Sequence, residues 1–152
     1  MFISDPQPSG KGTSPATVPE GSGVEDGAEL TLEEDLLPLV DPEVLEDLEE
    51  QLNGAVLAVR FARDYTAMWD RRYNRLAAAV ENQDLASALD AVISLKITSA
   101  MVGGVRLARL AEALEQVIRQ GDFGKGQSLM ERVAKDGCQT VSELQATYIK
   151  NG

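Results

Sequence analysis

After residue 41, apolar residues recur at spacings of three and four, and no segment alternates with the period of two that marks a strand. Asp41-Pro42 reads as a helix start, an N-cap followed by proline at the first helical position, with Glu43, Glu46 and Asp47 suited to the positive end of the helix dipole. Val44, Leu45, Leu48 and Leu52 share one face, and Asn53-Gly54 ends the element. A long helix is predicted from about Ala55 to Glu81, with Leu57, Phe61, Tyr65, Trp69, Tyr73, Leu76 and Val80 on its only continuous apolar face. The aromatic stripe within that face reads as core packing. Asp84 caps a third helix running from Leu85 to about Val102, whose inner face carries Leu85, Ala88, Leu89, Val92, Leu95, Ser99 and Val102 and which Gly103-Gly104 ends. A fourth spans about Val105 to Gln120, with Leu107, Leu110, Ala111, Leu114, Val117 and Ile118 inside. A fifth begins at Asp122-Phe123 and carries Leu129, Val133, Val141, Leu144 and Tyr148, with Gly137 expected to kink or interrupt it. The pattern predicts an all-α fold, an up-down antiparallel four-helix bundle, with the shorter Pro42 helix added at its N-terminus and capping one end.

The chain upstream of this pattern has a different character. Residues 1–29 are rich in Pro, Gly, Ser and Thr without apolar periodicity and read as a disordered acidic leader. Residues 30–40 form a leucine-rich arm, where Thr31 and Glu34 resemble a capping box and Pro38 stops the helix. The bundle then occupies 41–152. Charge follows the same division. Residues 1–50 hold 14 acids and one base, a balance of −13, whereas residues 51–152 hold 11 acids and 13 bases, a balance of +2. An acidic leader repels phosphates, which argues against nucleic acid as a partner. The start of the chain lacks the basic and apolar runs of a signal peptide, and no stretch reaches the ~20 apolar residues of a membrane span, so the expected location is cytoplasmic without membrane attachment.

The residue inventory excludes much chemistry. There is no histidine and one cysteine, Cys138, so an intrachain disulfide, a Cys/His nucleophile pair and a closed metal site are all unavailable. No Ser/His/Asp set can form, and Gly121, Gly124 and Gly126 follow a helix rather than a strand, unlike a nucleotide-binding loop. The expectation is no catalytic residue, no cofactor and no metal.

One stretch carries a resemblance. Ile93-Ser94-Leu95-Lys96-Ile97-Thr98-Ser99-Ala100-Met101-Val102-Gly103-Gly104 is followed by Arg106-Leu107-Ala108-Arg109-Leu110-Ala111-Glu112-Ala113-Leu114-Glu115 and then Gly121-Asp122. It resembles the signature of the histidine phosphotransfer (HPt) domain, which reads His-x-Leu-Lys-Gly, a small pair, a terminal Gly and Leu-Ala…Leu-Glu. The likeness extends from Pro42 to the C-terminus. It implies a phosphorelay scaffold in bacterial-type two-component signalling, with Lys96 at the family's lysine position. It also implies that the phosphoacceptor position is occupied by Ile93, which has no nucleophilic atom. The glycine that lets a response regulator approach is replaced by Ile97.

Ile93, Ile97 and Met101 are spaced by four and form one line on the outer face of the third helix. Position 93 should lie opposite about position 74, and 97 opposite about 70, so Arg71 and Asn74 are expected to border this line together with Lys96. An apolar stripe with a polar and basic rim suits a protein-binding patch. The expected cover is a response-regulator receiver or other signalling protein, a second copy in a two-fold dimer, or the arm Leu30–Val40 of the same chain. The favoured reading is a non-catalytic HPt-like interaction module. The alternatives are an active phosphorelay intermediate using a non-histidine acceptor, for which Asp90 is the carboxylate one turn earlier, and an unrelated helical-bundle regulatory subunit.

Overall fold

The computed structural model describes residues 36–149, and the compact unit begins at Leu37. The expected leader, 1–29, and residues 30–35 of the arm lie outside the described residues. Within them the chain is helical, with no strand: α1 (Pro42–Gln51), α2 (Ala55–Ala67), α3 (Trp69–Glu81), α4 (Leu85–Met101), α5 (Val105–Arg119) and α6 (Phe123–Glu143), which runs into a π-helical turn at Leu144–Tyr148. The expected caps form. Asp41 accepts a hydrogen bond from the Glu43 N–H at 3.0 Å and Asp84 accepts one from the Ser87 N–H at 3.2 Å.

Helices α3, α4, α5 and α6 form the bundle, each packed on the next and α6 closing back on α3. Leu76, Val80, Leu95, Leu107, Leu110, Leu114, Ile118 and Val133 are fully buried between them. Each such side chain contributes about 1.5–3 kcal/mol of transfer free energy. A second apolar cluster closes one end, where Val40, Leu45, Ala62, Tyr65, Val102 and Leu144 meet. The last residue of the arm, Val40, therefore joins the core. Just before it, the Leu37 carbonyl accepts two bonds from the Arg106 guanidinium, at 3.0 and 2.7 Å.

Three local expectations are corrected. The helix predicted over 55–81 is two helices, separated at Met68, whose φ and ψ are −94° and 0°. Backbone hydrogen bonds continue across the break, where the Met68 N–H donates to the Asp64 carbonyl and the Met68 carbonyl accepts from the Arg72 N–H. The partners change, however: α2 packs on α1 and the π-helical turn, whereas α3 packs on α4 and α6. Gly137 does not interrupt α6, which continues to Glu143. Its missing Cβ instead makes room for the Trp69 indole. Leu85, expected inside, is 46 % exposed, because the first turn of α4 projects past the core.

Gly103 is needed twice over. Its φ of +81° suits a residue without a side chain, and a Cβ there would lie 2.6 Å from the Asp41 carbonyl oxygen. The Asp41 N–H donates to the Gly103 carbonyl at 2.7 Å, which ties the start of α1 to the α4–α5 turn.

Candidate functional site

The outer face of α4 carries the residues singled out in the sequence. The α3–α4 register is fixed by two arginines. Arg72 Nη1 donates to Ser94 Oγ at 2.7 Å, and Arg75 pairs with Asp90. Position 93 thus lies opposite residue 72 or 73, within two positions of the expected 74. The side chains that reach α4 are Arg72 and Arg75. Arg71 and Asn74, expected to border the apolar line, are exposed on α3 beside them.

The three apolar residues of the line have different surroundings. Ile93 is half-buried and packs against the bundle core. Ile97 is 51 % exposed at the centre of the face. Met101 is half-buried and shares a cleft with Val44, Leu48 and Gln51 of α1. The open stripe is therefore shorter than the spacing predicts, because α1 closes over its C-terminal end.

Lys96 is bound to its own fold. Its Nζ donates to Glu115 Oε1 at 2.7 Å, while Arg119 donates to Glu115 Oε2 from Nε at 3.1 Å and from Nη2 at 2.8 Å. The Glu115 side chain is buried between two cations. Hydrogen bonds from Lys96, then from Arg119, hold its carboxyl below the usual value despite burial. On the opposite flank, Thr98 Oγ1 donates to the Ser94 carbonyl at 2.8 Å. Beneath the helix, the hydroxyls of Tyr65 and Ser99 lie 2.6 Å apart in the core, and burial pushes the Tyr65 phenol up to about 12.

The face is thus an isoleucine centre with polar flanks on which Arg72, Arg75, Lys96 and Arg119 are already engaged. Sequence reasoning missed Arg72, Arg75, Ser94, Thr98 and Arg119 as members of it. The spacing of four between Glu115 and Arg119 was a legible signal, whereas the cross-helix bonds were not. The arrangement offers no nucleophile at position 93, and Asp90 is held by Arg75.

Residues 41–147 match the Hpt domain family. This chain belongs to that family. The crystal structure of HptB, a histidine-containing phosphotransfer protein from Pseudomonas aeruginosa PAO1, shares the fold with a TM-score of 0.67 at 21 % identity. The match covers 74 % of this chain and 96 % of that one. No curated protein matches the chain. Family membership makes this Hpt domain a phosphotransfer-related module of two-component signalling. In HptB the name itself records a histidine; this Hpt chain has none. No helix among its described residues is long and apolar enough to cross a membrane, and no group of three or more His, Cys, Asp or Glu side chains there is arranged to hold a metal ion.

Proposed function

We propose that this Hpt domain is a non-catalytic docking module, which binds a response-regulator receiver or a related signalling protein on the α4 face without accepting a phosphoryl group, in the cytoplasm. The observation that carries the reading is the residue at position 93. Where the family signature places its acceptor, this chain has an isoleucine packed onto the core, and no histidine exists elsewhere to replace it. Asp90, the neighbouring carboxylate, forms an exposed ion pair with Arg75, and base-labile label on it is what the non-histidine relay would require.

The docking half of the proposal rests on Ile97. Covering a largely exposed isoleucine yields up to about 1.5–3 kcal/mol. Arg72, Arg75, Lys96 and Arg119 already have partners, so the rim is pre-ordered and gives orientation rather than new ion pairs. Met101, Arg71 and Asn74 stand at the periphery.

The test is phosphotransfer from a receiver phosphorylated with labelled phosphate, run beside a binding measurement by calorimetry. The expected result is saturable binding with no label on the chain, and binding lost in Ile97→Glu. Acid-labile or base-labile label on the wild-type chain overturns the non-catalytic reading. Light scattering on the same two proteins reads the second-copy alternative: a wild-type dimer that becomes a folded monomer in Ile97→Glu assigns the face to self-association instead.

A further inference from the structure

At the end of the molecule formed by α1, α2 and the π-helical turn there is a cleft of about 420 Å³ that the docking face does not include. Its wall on α2 is Val56 and Val59, its rim is Arg60 and Arg63, and its far side is Glu49 with Tyr148. The volume falls within the ordinary range for small-molecule sites, about 300–1,000 Å³.

Two features of this cleft lack an internal explanation. First, its arginines have nothing to hold. Arg72, Arg75, Arg106 and Arg119 each bond a named group, and Arg109 and Arg132 have partners as well, whereas Arg60 and Arg63, like Arg71 on the docking side, make no ion pair or side-chain hydrogen bond among the described residues. Spaced by three on one helix, they lie on the same side and can close on one anion from two directions. Second, apolar surface is left in water at the same place: Val56, on the wall of the cleft, is 76 % exposed.

The carboxylate in the cleft is partly spoken for. Tyr148 donates its phenol proton to Glu49 Oε2 at 2.7 Å, and burial together with Glu49 pushes the Tyr148 pKa up, so the pair stays a neutral phenol on a carboxylate. An anion is favoured at the arginine end and repelled at the Glu49 end, which gives a ligand one orientation.

We infer that this cleft binds a small amphipathic anion, a carboxylate or phosphate monoester on a short apolar chain, with the head group at Arg60 and Arg63 and the chain along Val56 and Val59. The site is independent of the docking face.

The test uses the full chain, isotope-labelled, titrated by NMR with octanoate, octyl phosphate, octanol and inorganic phosphate. The expected result is saturable shifts of the Val56, Val59 and Tyr148 amides with octanoate or octyl phosphate. Octanol and inorganic phosphate should bind at least about ten-fold more weakly, since each lacks one half of the recognition. Arg60→Gln/Arg63→Gln should weaken octanoate and octyl phosphate at least about ten-fold while retaining its circular dichroism and thermal midpoint, both residues being exposed. The inference is overturned if neither amphiphile shifts these amides, if octanol matches octanoate, or if the double variant binds as the wild type does. Ile97→Glu should leave the titration unchanged, which separates this site from the docking proposal.

Discussion

A β-carbon on Gly137 would overlap Cζ2 and Cη2 of the Trp69 indole. The contact joins α6 to α3 across the bundle at the point where α2 gives way to α3. Gly137 sits inside an uninterrupted helix, where alanine is ordinarily better than glycine by about 1 kcal/mol. The packing reverses that sign. Gly137→Ala is expected to destabilise the protein by about 1–3 kcal/mol, the usual cost of overfilling a core, in urea unfolding followed by Trp69 fluorescence. A rise in stability would mean that the indole can move aside at no cost.

Ile93 and Ile97 lie one turn apart yet differ in burial, so their substitutions should separate folding from docking. Ile97→Glu is expected to stay within about 0.5 kcal/mol of wild type in chemical denaturation and to lose partner binding. Ile93→Glu should lower stability clearly, because it puts a carboxylate against the apolar core. Equal losses of stability in the two variants would contradict the placement of Ile93.

Restoring chemistry should take more than one residue. Ile93→His supplies a nucleophile, but Ile97 remains beside it and Lys96 remains tied to Glu115. Little or no label from a phosphorylated receiver is expected with Ile93→His alone, and more with Ile93→His/Ile97→Gly. Full labelling of the single variant would show that Ile97 does not obstruct approach.

The buried carboxylate predicts an acid limb. Hydrogen bonds from Lys96 and Arg119 place the folded Glu115 below its usual value near 4.5. A depressed carboxyl pKa adds stability that is fully present above the unfolded value and is lost as pH falls through the folded one. Wild-type stability should therefore decline below about pH 4.3 more steeply than that of Glu115→Gln. Parallel pH profiles between pH 6 and 3 would remove Glu115 from the account.

Tyr65 and Ser99 supply the alkaline counterpart. With its phenol raised to about 12 from 10.0, chiefly by burial, Tyr65 contributes stability that is present below the unfolded value and lost as pH rises through the folded one. Phenolate absorbance should show Tyr65 and Tyr148 both titrating late, and Ser99→Ala should cost about 1–3 kcal/mol by leaving the buried hydroxyl unpaired. Tyr65→Phe is expected to remove one late-titrating phenol and leave that of Tyr148.

The sequence alone determined what is local or periodic. Apolar spacing marked the bundle helices and their inner residues, Asp41 and Asp84 announced two helix starts, and Gly103 marked the end of α4. Short loops then forced antiparallel neighbours, which brought the α3–α4 register to within two positions. The signature around Ile93 and Lys96 indicated the family. What the sequence left open depends on rotation and closure between helices. Only the tertiary structure decided that Arg72 and Arg75 reach α4 while Arg71 and Asn74 remain exposed, that α1 covers Met101, and that Lys96 is bound to Glu115. It also gave Gly137 its role, since a glycine that permits a kink and one that admits an indole look the same in one dimension. A helix repeats its own pattern every turn, so its phase is written in the chain. Which side chains of two helices meet is set by packing the whole core at once, and a shift of one residue turns a face by about 100°.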